Sequence, residues 1–332
     1  MRLLLDTEQR AFVTSLDAML TAADTPAVIR DWSRGAHASG RALWSRVAEA
    51  GVFALAVPEA HEGLGPRPVE LALAFIELGR HAVPGPLVET VAAATLLAGL
   101  DDPAPAKRLL PALAAGEAMA TTTTGRYMLD ASVSDIRLTA LRVSPARPAP
   151  APTELRLAPP PDGPPHRSLD PARRLSPTPR TGELLATDPP SLPPALLLAR
   201  LVTAAQALGV GLALLDRTVA HVRRRTQFGA PIGSFQAVKH QLADVKIALE
   251  FARPLVLGAA LTLTERDVAA AKVGACEAAY GAARTALQLH GAIGYTAEYD
   301  LHLWLTKARA LRTAWGGPDE CRAVVLSGGR RW

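Results

Sequence analysis

From residue 195 onward the chain keeps helical periodicity over spans too long for a small mixed domain. Between 195 and 225 apolar residues recur at Leu198, Leu201, Val202, Ala205, Leu208, Leu212, Leu215, Val219 and Val222, the spacing of one helix face. At about 1.5 Å per residue that helix runs on the order of 45 Å. Gly229-Ala230-Pro231-Ile232-Gly233 predicts a turn, and Ser234 is placed to cap a second helix over 235–263. A third helix is expected over 265–290, ending at Gly291, where a left-handed cap fits. Thr296 and Glu298 are expected to open a fourth. Long helices joined by short turns predict an antiparallel four-helix bundle over 194–332.

The first 118 residues also read as helices. Apolar positions Phe12, Val13, Leu16, Met19 and Leu20 share a face over 8–22, and Leu43, Trp44, Val47 and Ala48 do so over 40–50. Further helices are expected over 70–79 and 87–100, the latter apolar all round and so buried. Residues 119–193 differ. Thr121 to Thr124 and the alternation of Val133, Ile136 and Leu138 predict short strands. Beyond them, 16 of the chain's 28 prolines fall between 145 and 194. Proline cannot donate to a β ladder, so a complete sheet is not expected there. A reduced, Pro-rich β domain with a disordered loop near 145–165 is the expectation. The fold class is thus mainly α, in three parts: 1–118, 119–193 and 194–332.

Composition narrows the partners. The 332 residues are 49% hydrophobic, with no apolar run read as approaching a membrane span and no export signal. Cys276 and Cys321 make neither a disulfide framework nor a metal cluster, so a reduced, cytoplasmic setting without a metal is expected. The net charge of +5 is spread along the chain, and aromatics are only 5%. Nucleic acid is therefore not an expected partner.

Two segments carry chemistry. One is Arg225-Thr226-Gln227-Phe228-Gly229-Ala230-Pro231-Ile232 with Phe235-Gln236 and Leu242-Ala243-Asp244; the other is Gln288-Leu289-His290-Gly291-Ala292-Ile293-Gly294-Tyr295-Thr296 with Glu298. Read singly, the basic run 223–225 is a solvated helix end, since helix C-termini attract cations, and Gly291 is an ordinary cap. Together they resemble the bundle signature of the acyl-CoA dehydrogenases. Gly51, Val57-Pro58-Glu59, Gly63-Leu64-Gly65 and Glu77-Leu78-Gly79-Arg80 are similar to that family's N-terminal half.

The resemblance implies FAD, shared across a subunit interface. Arg225 would grip its pyrophosphate through paired charge-assisted hydrogen bonds. Gln227, Phe228, Phe235 and Gln236 would surround the adenosine end, and Gln288 and Gly291 would meet the same phosphates. The family's ring-binding β-domain motif has no counterpart at Thr121-Thr122-Thr123-Thr124-Gly125. The α-proton of the acyl thioester requires a carboxylate base. Gly316, in Trp315-Gly316-Gly317-Pro318, stands where the family places that glutamate, and Ala199 stands at the alternative position. No catalytic residue is therefore expected. Asp319 and Glu320 read as helix-cap acids, although Glu320 matches a position able to touch flavin.

A retained cofactor half-site without a base implies a non-catalytic subunit of a heteromeric acyl-CoA dehydrogenase. It would complete the FAD site of a catalytic partner in an α2β2 assembly, with the acyl-CoA held mainly by that partner. The resemblance extends to actinobacterial steroid side-chain degradation. The alternatives are an active homomeric flavoenzyme, using another base or acting as a monooxygenase, and a flavin-free assembly scaffold.

Overall fold

The computed structural model describes residues 4–143, 151–296 and 298–327. Its helices are α1 (Thr7–Thr21), α2 (Thr25–Ser33), α3 (Ala38–Glu49), α4 (Pro68–Arg80), α5 (Leu87–Ala98) and α6 (Ala104–Ala114), then α7 (Leu192–Arg224), α8 (Gln236–Thr262), α9 (Glu265–His290), α10 (Leu301–Thr313) and α11 (Pro318–Leu326). Its strands are β1 (Ala120–Thr123), β2 (Tyr127–Leu129), β3 (Ile136–Arg142), β4 (Thr153–Leu157), β5 (His166–Arg167), β6 (Arg174–Pro177), β7 (Glu183–Thr187), β8 (Thr226–Gln227) and β9 (Ala230–Pro231). The chain divides into two compact units: Met1–Ile29 with Ala72–Val83 and Arg200–Trp332, and Arg30–Leu71 with Pro84–Ala199.

In the first unit α8, α10 and α11 pack on α9. Alanine makes this possible: Ala269, Ala275, Ala279, Ala282, Ala283 and Ala286 line the buried side of α9. Helix α7 joins them at Gly211, where a Cβ would stand 2.5 Å from Leu249 and 3.1 Å from the Cα of Ala279. The opposite side of α7 crosses α4 as closely. A Cβ at Gly79 would lie 2.1 Å from the Gln206 carbonyl oxygen, and one at Gly209 would lie 1.8 Å from that of Ile76. Backbone meets backbone, so only glycine serves at these two positions. By length and composition α7 could cross a membrane, contrary to the expectation that no apolar run approaches a span. However, 78% of its most apolar window is buried, as in a core helix.

Some expected boundaries shift. Ser234 does not cap α8; its hydroxyl donates to the Pro231 carbonyl (2.7 Å), and Phe235 is the N-cap, with no side-chain hydrogen bond. Thr296 and Glu298 do not open α10, because 3-10 turns cover Gly291–Tyr295 and the helix begins at Leu301. Gly291 ends α9 with φ 62° and ψ −139°, an extended backbone with positive φ rather than a left-handed helical cap.

In the second unit α5 is buried nearly all round, as expected, and packs on β1 and α6. The four-stranded sheet runs β1-β3-β4-β7, with β1 parallel to β3 and the remaining pairs antiparallel; a three-stranded sheet runs β2-β6-β5. The proline-rich stretch is thus more complete than expected, since β4 and β7 finish the larger sheet. Its described prolines lie outside the strands, Pro193 and Pro194 in the first turn of α7, except Pro177, which is the last residue of β6. Of the loop expected near 145–165, residues 144–150 lie outside the described residues, and 153–157 is strand. Arg173 closes this unit's interior by pairing with buried Glu89 (2.9 Å) and buried Asp130.

At one end of the bundle the His221 ring of α7 stacks on the His290 ring of α9, with centroids 4.1 Å apart and planes 25° apart. His290 Nδ1 pairs with the Ala286 carbonyl (2.8 Å), while both Nε2 atoms are buried without a hydrogen-bond partner. Burial pushes His221 down to about 4, aided by His290, Arg225 and Arg224; burial also lowers His290. Between about pH 6.5 and 4 the unfolded chain binds protons that the folded chain refuses. Stability therefore falls as pH drops through that window. With allowance for solvent screening of a partly exposed ring, His221 accounts for about 1–2 kcal/mol. His221→Phe, which keeps a ring but cannot titrate, is expected to flatten the pH dependence of thermal stability between pH 6.5 and 4. An unchanged slope would contradict the assignment.

Candidate functional site

The His221–His290 stack brings the two sequence motifs together. Arg225 lies one turn beyond His221, and its charge is felt at the His221 ring. Its N–H donates to the His221 carbonyl (2.9 Å) and its own carbonyl accepts from Ile232 N–H (2.8 Å). The backbone is thus held while the side chain remains exposed. Strands β8 and β9 form a hairpin whose turn residues, Phe228 (φ 54°) and Gly229 (φ 76°), are both left-handed, the geometry of a tight two-residue hairpin turn. This strained backbone puts the Phe228 ring at 94% exposure, edge-on to half-exposed Phe235 at 6.2 Å.

Gln227 and Gln236 are exposed on the same hairpin–helix segment, and Gln288 and Gly291 are exposed at the end of α9. Its chain neighbours aside, no atom of the described residues comes within 4 Å of where a Gly291 Cβ would stand. All seven candidate cofactor residues belong to one unit. Among the described residues Arg225 has no carboxylate partner, a state suited to an anionic group. Two exposed aromatic rings and amide side chains beside it suit a dinucleotide, so these residues fit FAD.

Around Gly316 the chemistry is cationic. Trp315 (φ 56°) and Gly316 (φ 126°) both have positive φ. Arg200 Nε donates to the Trp315 carbonyl (3.0 Å), and its Nη2 pairs with Glu320. Buried Lys272 donates to the carbonyls of Leu311 (3.0 Å), Arg312 (3.2 Å) and Gly316 (3.2 Å). A Cβ on Gly316 would lie 2.8 Å from Arg200 Nε and 2.9 Å from its Nη2. Asp319 and Glu320 sit in the first turn of α11 but do not cap it: the N-cap is Gly317, with no side-chain hydrogen bond, and the two acids pair with Arg322 and Arg200. Ala199 is fully buried in α7. Sequence reasoning passed over both Arg200 and Lys272; the only signal was a lysine in an alanine-rich helix, in a chain with few lysines.

Sequence reading also missed a cluster of Asp17, Glu77 and His81, whose polar atoms lie within 4.8 Å of one another. Glu77 and His81 are one helical turn apart, but Asp17 comes from α1. His81 Nε2 stands 2.8 Å from Asp17, while Arg80 lies 3.5 Å from Glu77 and 3.0 Å from Asp216. Burial raises the Glu77 carboxyl to about 7. The Arg80 carbonyl accepts from Trp304 Nε1 (2.8 Å). The Glu77-Leu78-Gly79-Arg80 motif therefore ties α4 to the bundle.

Comparison with known proteins gives the family. The domain description "Acyl-CoA dehydrogenase, N-terminal domain" matches residues 6–117, and "Acyl-CoA dehydrogenase, C-terminal domain" matches 194–327. Acyl-CoA dehydrogenase IpdE2 of Mycobacterium tuberculosis is 32% identical over 317 residues, covering 94% of this chain and 95% of the relative. Among solved structures, the ChsE4-ChsE5 complex of M. tuberculosis superposes with a TM-score of 0.81 at 22% identity, over 100% of both chains. The Tcur3481-Tcur3483 steroid ACAD superposes with a TM-score of 0.79 at 24% identity, over 96% of this chain and 97% of that one. At that identity the structural likeness speaks for the fold. The chain belongs to the acyl-CoA dehydrogenase family.

Proposed function

We propose that this chain is a subunit of a heteromeric FAD-dependent acyl-CoA dehydrogenase, in the cytoplasm, and that it completes the FAD site of a catalytic partner without supplying the base. The observation that carries this reading is the contrast between two sites in one unit. At the ends of α7 and α9, a guanidinium with no carboxylate partner among the described residues, two exposed phenylalanines and exposed glutamines offer contacts for a dinucleotide. At Gly316, the Arg200 guanidinium fills the space that a side chain would need.

Bound FAD supplies the hydride acceptor for α,β-desaturation of an acyl thioester. In this chain Arg225 would hold the pyrophosphate, with Gln288 and Gly291 beside it. Phe228, Phe235, Gln227 and Gln236 would flank the adenosine. A carboxylate at 316 would meet a guanidinium already bonded to Trp315 and Glu320, so removal of the α-proton falls to the partner. The partner itself is supported by an exposed apolar stripe on α8: Ile247 (53% exposed), Phe251 (72%) and Leu255 (44%) recur every fourth residue. Such a stripe is costly to leave in water. The two-protein neighbours ChsE4-ChsE5 and Tcur3481-Tcur3483 support a partner subunit, for which an α2β2 arrangement is proposed, and the latter's steroid label supports a steroid-derived thioester as substrate.

Two substitutions test this. Arg225→Ala is expected to weaken FAD retention by the assembled complex about 10–100-fold, the loss of a charge-assisted pair. This is read from flavin absorbance after gel filtration, and unchanged flavin content would favour a flavin-free scaffold. Gly316→Glu introduces the family's missing residue, yet is expected to lower the melting temperature by several degrees and to yield no desaturation by the chain alone, because φ 126° at 316 strains any residue with a side chain and the end of Arg200 must also move aside. A folded variant that desaturates acyl-CoA unaided would contradict the reading.

A further inference from the structure

Glu77 and His81 stand four residues apart on α4, a spacing that puts both side chains on one face. Asp17 of α1 meets them there, so that one donor atom from each residue lies within 4.8 Å of the other two. All three belong to the first unit. One imidazole nitrogen with two carboxylates is a donor set that suits zinc and related divalent metals. A chain read for metal by its two cysteines offers no such set, because Asp17 lies far from α4 in sequence.

The donors ride on packed helices. Leu16 and Leu20 beside Asp17, and Phe75 and Leu78 beside Glu77, are buried. Gly79 leaves no room for a Cβ against the Gln206 carbonyl, and the Arg80 carbonyl accepts from Trp304 Nε1. Side chains carried on such a frame keep their mutual geometry. Glu77 is 7% exposed, and burial, with the charge of Asp17, raises its carboxyl to about 7 against the pull of Arg80 and Arg253. Arg80 is shared, standing 3.5 Å from Glu77 and 3.0 Å from Asp216. The buried carboxylate is thus under-compensated, and a divalent cation would supply the missing charge. His81 Nε2 already lies 2.8 Å from Asp17 Oδ1. A four-coordinate metal holds its donors about 3.4 Å apart, so this pair need open by only about half an ångström while Glu77 swings in. The Asp17 side chain is 49% exposed, which leaves an ion a way in from solvent.

We propose that Asp17, Glu77 and His81 form a binding site for a divalent metal ion of the zinc class. His81 Nε2 and one oxygen from each carboxylate are the protein ligands, and water completes the coordination on the exposed Asp17 side. The ion ties α1 to α4, so its binding stabilises the folded chain. The proposal does not depend on the flavin reading, since none of these residues belongs to the Arg225 or Gly316 regions.

The full chain, freed of metal with a chelator, is titrated calorimetrically with Zn2+ and, in parallel, with Mg2+ and Ca2+. Zn2+ is expected to bind with micromolar affinity or tighter and, in excess, to raise the melting temperature by several degrees. Asp17→Asn, Glu77→Gln and His81→Gln are each expected to weaken zinc binding about 10-fold or more and to remove the thermal shift. Melting temperatures of the metal-free variants separate lost binding from lost folding. Glu77→Gln keeps the side-chain size and removes a buried charge, so it carries the test if another variant fails to fold. Zinc binding indifferent to the substitutions would mark adventitious surface sites and overturn the proposal. Tighter binding of Mg2+ or Ca2+ than of Zn2+, or no binding of any of the three, would overturn it as well.

Discussion

Two helices cross at Gly79 and Gly209 so closely that neither position has room for a methyl group beside the opposing carbonyl. The long helix α7 is held on one side by this crossing and on the other by Gly211 against Leu249 and Ala279. Its two active regions then have fixed places. Arg200, early in the helix, reaches the 315–316 backbone and Glu320. His221, near its end, stacks on His290 and sets Arg225 beside the end of α9. One packed rod thus carries both the cationic block at Gly316 and the exposed anion-seeking end.

The same contrast separates burial from function in the arginines. Arg173 lies between buried Glu89 and Asp130 and works as structure: removing either acid would leave a buried cation with less compensation, a strongly destabilising change. Arg225 is exposed and lacks a carboxylate partner among the described residues. Surface charges of that kind contribute little to stability.

Much of the helical architecture was legible because apolar spacing survives where packing demands it, as in α1, α3 and α7, while α5 was legible as apolar all round and α9 by its stop at Gly291. Helices α2, α6 and α11 were not read; α11 is a single short element opening on Pro318, and α6 contains Pro111. The strands after β3 were hidden because proline density suggested broken structure, whereas the prolines punctuate β4, β6 and β7 from outside or at the last residue. Of the candidate site, the two motifs were legible as local patterns. The stack that unites them was not, because His221 and His290 lie on different helices and each alone looks like an ordinary polar residue. The Arg200 contact with 315–316 was hidden for the same reason: it joins positions far apart in the chain.

The central claim is that this chain lends half of a flavin site and leaves proton abstraction to another polypeptide. The most direct measurement is flavin content and acyl-CoA desaturation of the chain purified alone, against the chain co-purified with its partner subunit. The account predicts a colourless, inactive chain alone and a yellow, active complex with one FAD for each pair of unlike subunits. A yellow homomer that desaturates acyl-CoA unaided would contradict it.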